Sequence, residues 1–202
     1  MPRKSTARER LTDAALDIIW ENSYGATSVD AICEKADVRK GSFYYFFKSK
    51  SELAAAALDA DFQKHQAELD GIFSSTVAPL DRLQRYFEHS YEYMSSVQKK
   101  CGMVLGCPLF TLGSEVCTQD TILRDKIQEI LDRKLLYFES TIRDAQAQGL
   151  VEAADAKALA RGLFVFFQGA LTQARIQNNV EVIRDVYPEA LRLLGYKATV
   201  AA

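Results

Sequence analysis

Four prolines and ten glycines are the strong breaks in a chain of 202 residues, so long stretches are left to settle into one regular backbone structure. The residues between the breaks are rich in Ala, Leu, Glu, Gln, Arg and Lys, all good helix formers. Apolar positions recur three and four apart, and no run sustains the alternation of a strand. The expectation is an all-α protein. With 48% hydrophobic and 26% charged residues, the chain can bury a substantial core, which excludes disorder over most of its length. The longest apolar runs, Leu53 to Leu58 and Leu163 to Phe167, fall short of the roughly 18 residues of a membrane span. The basic N-terminal decade lacks the apolar segment of an export signal. A cytoplasmic protein without a membrane partner is expected. Its four cysteines (Cys33, Cys101, Cys107, Cys117) show no metal spacing and are expected to be reduced; no cofactor is implied.

Charge divides the chain. Residues 1–50 carry nine Lys/Arg against seven Asp/Glu, and the remainder carries 16 against 20, placing a small basic head on a larger acidic body. In the head, Leu11, Ala14, Ala15, Ile18 and Ile19 mark one helix, expected to stop between Asn22 and Gly25, where the sequence offers residues that tolerate the left-handed conformation. Thr27 or Ser28 caps a short second helix carrying Val29, Ile32 and Cys33. A tight turn at Ala36-Asp37-Val38 leads into a third, with Phe43 and Phe46 or Phe47 inward. Two short helices so joined form a helix-turn-helix. Ser49 or Ser51 caps a fourth helix leading into the body, which is expected to hold about five helices in one bundle. Domains are expected at 1–50 and 51–202. Pro188 is expected to kink or divide the last helical pattern.

A helix that enters the major groove needs donors on one face and short side chains where the backbone comes close. Arg39 and Lys40 can pair with guanine or phosphate. Gly41 permits close approach, Ser42, Tyr44 and Tyr45 offer hydroxyls, and Lys48 and Lys50 add charge. A solvated charged face with aromatic anchors is the alternative. The run from Thr27 through Asp30, Ile32, Ala36, Val38, Lys40-Gly41-Ser42-Phe43-Tyr44-Tyr45-Phe46 and Lys48 to Leu53 closely resembles the N-terminal domain of TetR-family transcriptional repressors. The resemblance implies DNA contacts by Thr27, Ser28, Ser42, Tyr44 and Lys50. Arg39 departs from the serine the family often has there, adding a bidentate donor. A near-palindromic double-stranded operator and a homodimer are then expected, because two heads must meet grooves about 34 Å apart. Leu159, Leu163, Phe166, Phe167, Ala170, Leu171, Ile183, Ala190, Leu191 and Leu194 are the candidate dimer surface, with monomer core as the alternative for some of them.

The segment Cys101 to Cys117 gathers three cysteines, three glycines and Pro108 in a body otherwise poor in them. Pro108 suits the first position of a helix, making Cys107 its N-cap, where a positive helix end favours a thiolate. An inert buried cysteine is the alternative. Gly106-Cys107 with Leu112 and Ser114-Glu115-Val116 resembles a TetR-family subgroup, some of whose members respond to electrophiles such as quinones, aldehydes and unsaturated carbonyls. The resemblance implies a sensor at Cys107. Arg161 or Arg175 could supply a cation, and aromatic residues, among them Tyr91, Phe138 and Phe164, could line an apolar effector pocket with Gln168 as a polar handle. Core packing accounts for the same aromatics. A cysteine-dependent enzyme with His65 or His89 as base finds no supporting motif, so no catalysis is expected.

Overall fold

The structure, a computed structural model, describes residues 6–151 and 155–196; Arg3 and Lys4, counted above in the basic head, lie outside them. Among the described residues there are nine α-helices and no strand: α1 (Ala7–Glu21), α2 (Val29–Lys35), α3 (Lys40–Phe46), α4 (Lys50–Ile72), α5 (Pro79–Cys101), α6 (Pro108–Val116), α7 (Thr121–Ala147), α8 (Ala156–Gln177) and α9 (Val186–Leu193), with a 3-10 turn at Val180–Ile183 before α9. They fall into two compact units. One comprises the described residues through His65 together with Pro108–Leu131; the other comprises Gln66–Cys107 and the described residues from Asp132 onward. The chain passes from one to the other within α4, at the Cys107–Pro108 bond and within α7.

In the first unit α1 opens on a capping box, Thr6 accepting from the Glu9 amide while Glu9 accepts from the Thr6 amide at 2.7 Å. The helix packs on α2, α3 and α6, and Leu11, Ala15, Ile32, Phe43 and Leu53 are wholly buried. Ser28 caps α2, accepting from the Ala31 amide at 3.1 Å. Asp37 takes the left-handed conformation, φ 50°, and turns the chain into α3. Ser49 caps α4 by accepting from the Glu52 amide, and the Glu52 carboxylate accepts from the Lys48 amide just before the cap. Helix α1 stops within the expected stretch, but not through a left-handed residue. Asn22 closes the helix at φ −106°, and Gly25 is not in the left-handed region.

In the second unit Pro79 occupies the first turn of α5 and Gly102, at φ 77°, ends it. Phe73, Tyr86, Phe87, Phe138, Phe164 and Phe167 form a continuous core of tilted and edge-on rings, 5.0–5.8 Å between the centroids of touching pairs. Arg82, buried, ties α5 to α7 through Asp144 at 2.6 Å and caps the Val77 carbonyl at 2.8 Å. Pro188 lies in the first turn of α9, where its missing donor costs nothing; the division falls before it, between the 3-10 turn and α9.

Candidate functional site

Helix α3 has two faces. Phe43 and Phe47 are buried, and the Arg8 guanidinium lies 5.5 Å from the Phe47 ring centroid. On the outer face Arg39, Lys40, Gly41, Tyr44, Tyr45 and Lys48 are exposed, Tyr45 most of all at 82%. Arg39 is the N-cap residue but makes no side-chain cap, leaving its guanidinium uncommitted to the helix. Lys40 reaches Asp30 of α2 at 2.7 Å, and this hydrogen bond raises its pKa. Ser42 is half-buried on the flank. Nothing lies within 4 Å of where a Gly41 Cβ would stand, so packing within the chain does not demand glycine there. The exposed set combines cations, hydroxyls and aromatic rings over two helical turns, as direct reading of a duplex groove requires.

Two expected contacts are placed differently. Thr27 is buried at 3% exposure and spends its hydroxyl on the Ser23 carbonyl at 2.6 Å, leaving Ser28, exposed, as the polar residue at the start of α2. Lys50 turns inward: its Nζ donates to the carbonyls of Tyr24 and Thr27, both at 2.8 Å, and sits 4.0 Å from the Tyr24 ring centroid. Burial lowers its pKa.

The candidate sensor residues share the second unit. Helix α6 begins at Pro108, so Cys107 directly precedes it, half-buried. Arg175 donates to the Leu105 carbonyl, and a Cβ on Gly106, itself at φ 67°, would stand 3.5 Å from the Leu171 carbonyl oxygen and 3.6 Å from Arg175 carbons. The cation therefore reaches the residues beside Cys107, while Arg161 is exposed. Phe164, Gln168, Leu171 and Arg175 follow at helical spacing on the inner face of α8. Gln168 is 2% exposed and its Oε1 accepts no hydrogen bond among the described residues, an arrangement that costs about 1–3 kcal/mol until a donor arrives. Phe138 and Phe164 belong to the packed aromatic core. Tyr91 does not join them: its hydroxyl donates to Glu181 at 2.8 Å and its ring lies beneath Arg184. Cys33 is core, and burial pushes both its thiol and that of Cys117 toward the protonated form. His65 and His89 pair with Asp61 and Glu68, each at 3.4 Å.

The proposed dimer residues need correction. Leu163, Phe167, Leu171, Ile183, Ala190 and Leu194 are buried within the protomer. Ala158, Gly162, Val165, Gly169, Thr172 and Ile176 instead form an exposed stripe along α8. Apolar periodicity in this helix hid a second face because both faces carry aliphatic residues.

A helix-turn-helix with an exposed, cationic third helix, followed by a helical unit with its own core, defines a class of DNA-binding regulators. The sequence profile of bacterial regulatory proteins of the tetR family matches residues 11–57, and that of the Tetracyclin repressor-like C-terminal domain matches residues 79–188. The transcriptional regulator AcuR of Cereibacter sphaeroides is 30% identical over 178 residues, 87% of this chain and 80% of that protein. The repressor DhaR of Mycobacterium sp. is 26% identical over 180 residues, covering 88% and 87%. A regulatory protein TetR from Rhodobacter sphaeroides superposes with a TM-score of 0.82 at 27% identity, over 94% of this chain and 99% of its own. Reduced Escherichia coli NemR has the same fold, with a TM-score of 0.82 at 20% identity, over 97% and 99%. The chain belongs to the TetR family of transcriptional regulators and is a DNA-binding repressor of that type. Among the described residues no helix is long and apolar enough to cross a membrane.

Proposed function

We propose a dimeric repressor that holds a near-palindromic operator with two copies of α3 and is released by an electrophile reacting at Cys107. The observation that carries this reading is the junction of Cys107 with α6: the thiol precedes a helix N-terminus, and the Arg175 guanidinium is held at the Leu105 carbonyl two residues before it. Reactive cysteines occur in partly exposed settings near a cation, and Cys107 is half-buried with Arg175 held beside its neighbours. With an unsaturated carbonyl, Sγ bonds to the β carbon as the C=C π bond breaks, and the proton lost from the thiol ends on the α carbon. The product is a thioether with no leaving group.

The exposed stripe of α8 supplies the surface for the second copy. Gly162 and Gly169 have nothing within 4 Å of a Cβ, although glycine inside a helix costs about 1 kcal/mol against alanine. A close-packed partner helix accounts for that cost, and exposed Val165 and Ile176 extend the apolar face.

A second, noncovalent reading rests on Gln168, whose buried carbonyl oxygen would accept a donor from an apolar effector. Treatment with p-benzoquinone, peptide mass mapping and DNA binding to the upstream region of the protein's own gene distinguish them. The expected result is an adduct on Cys107 with release of DNA, both absent in Cys107→Ser. Release retained in Cys107→Ser but lost in Gln168→Leu selects the noncovalent reading.

A further inference from the structure

The link between α1 and α2 is gripped from two sides. On one, the Glu115 carboxylate accepts from consecutive amides, Tyr24 N–H to Oε2 at 2.9 Å and Gly25 N–H to Oε1 at 2.6 Å. On the other, Lys50 takes the carbonyls of Tyr24 and Thr27. The Tyr24 hydroxyl shares a hydrogen bond with Ser51 Oγ at 3.0 Å, and Ser51 donates to Asp120, just before α7. A Cβ on Gly25 would stand 3.1 Å from Glu115 Oε1, close enough that the carboxylate would have to give by a few tenths of an ångström. Bonds from amides to a carboxylate are shorter and roughly twice as strong as neutral ones. The gripped peptide leads straight into Ser28, the cap of α2. Glu115 is the eighth of the nine residues of α6, a helix about 13 Å long that starts immediately after Cys107.

We infer that Glu115 is a positioning residue for DNA reading: through it α6 fixes the α1–α2 link, and with it the start of α2. Loss of the Glu115 carboxylate leaves both amides without these acceptors, and the start of α2 loses the restraint that they provide. The inference rests on the DNA-binding role and adds to it how the head is set.

The test measures affinity for a duplex of the upstream region across a salt series, with amide exchange at Tyr24 and Gly25. Glu115→Gln, which replaces one acceptor oxygen with a donor, is expected to weaken binding at least tenfold and to speed exchange of both amides. The salt slope is expected to remain unchanged. Gly25→Ala, which presses a methyl against the carboxylate, serves as a second variant should Glu115→Gln fail to fold, and is expected to reproduce the weakened binding. Full affinity in Glu115→Gln and Gly25→Ala overturns the inference while leaving DNA binding intact. Wild-type protein without salt-dependent affinity overturns both.

Discussion

Helices α3 and α8 each expose a face that their own unit leaves uncovered, and the two faces differ in kind. On α3 it is built from Arg39, Lys40, Tyr44, Tyr45 and Lys48; on α8 it is built from Gly162, Val165, Gly169, Thr172 and Ile176. Cations and hydroxyls on rigid aromatic frames match a surface of phosphates and base edges. Small and aliphatic side chains match another helix, which must approach closely to gain dispersion contacts and exclude water. Both faces contain glycines with open space around them, Gly41 on one and Gly162 and Gly169 on the other. The difference teaches that the partner is legible from what surrounds the glycine, not from the glycine alone.

The largest effect that would break this comparison is at α8. Gly169→Leu should convert the dimer to monomer in sedimentation and lower operator affinity by about 100-fold or more, because the second head no longer binds alongside the first; an unchanged dimer would assign the stripe to solvent. At α3, Arg39→Ala should weaken binding by about 10- to 100-fold, equivalent to 1–3 kcal/mol, and relax preference at one base position in each half-site, read by a binding-site selection assay. A uniform weakening across sequences would make Arg39 a phosphate contact. The smallest effect sharpens the comparison by separating fold from function. Asp37→Gly removes the cost of a left-handed aspartate in the turn before α3, and should raise folding stability by about 0.5 kcal/mol with operator contacts unchanged. A lower melting temperature would show that the Arg10–Asp37 pair, 3.5 Å apart and exposed, outweighs the backbone term.

The head was legible because its signals are local. Spacing of apolar residues, Ser28 and Ser49 as caps and the turn at Asp37 lie within a few residues of the elements they define. The start of α6 was legible for the same reason, Pro108 being both a helix-starting residue and a restraint on Cys107. The hydrogen bonds of Lys50 to the α1–α2 link were not, since its partners sit 23 and 26 residues away. Glu115 was less legible still: it meets Tyr24 and Gly25 across 91 and 90 residues, and on α6 alone it is an ordinary solvated carboxylate. Thr27 and Ser28 are adjacent and both suit a cap; the burial of Thr27, whose hydroxyl turns to the Ser23 carbonyl, leaves the cap to Ser28. For α8, the seven-residue spacing of Gly162 and Gly169 inside an apolar helix was the available signal of a close helix contact.

Hydroxyl-radical footprinting of the protein on a duplex of its own upstream region tests the central claim most directly. Two protected patches on one face of the duplex, centred about 34 Å apart and both abolished in an Arg39→Ala, Tyr44→Ala variant that remains dimeric, is the predicted result. A single patch, or protection that survives those substitutions, would contradict it.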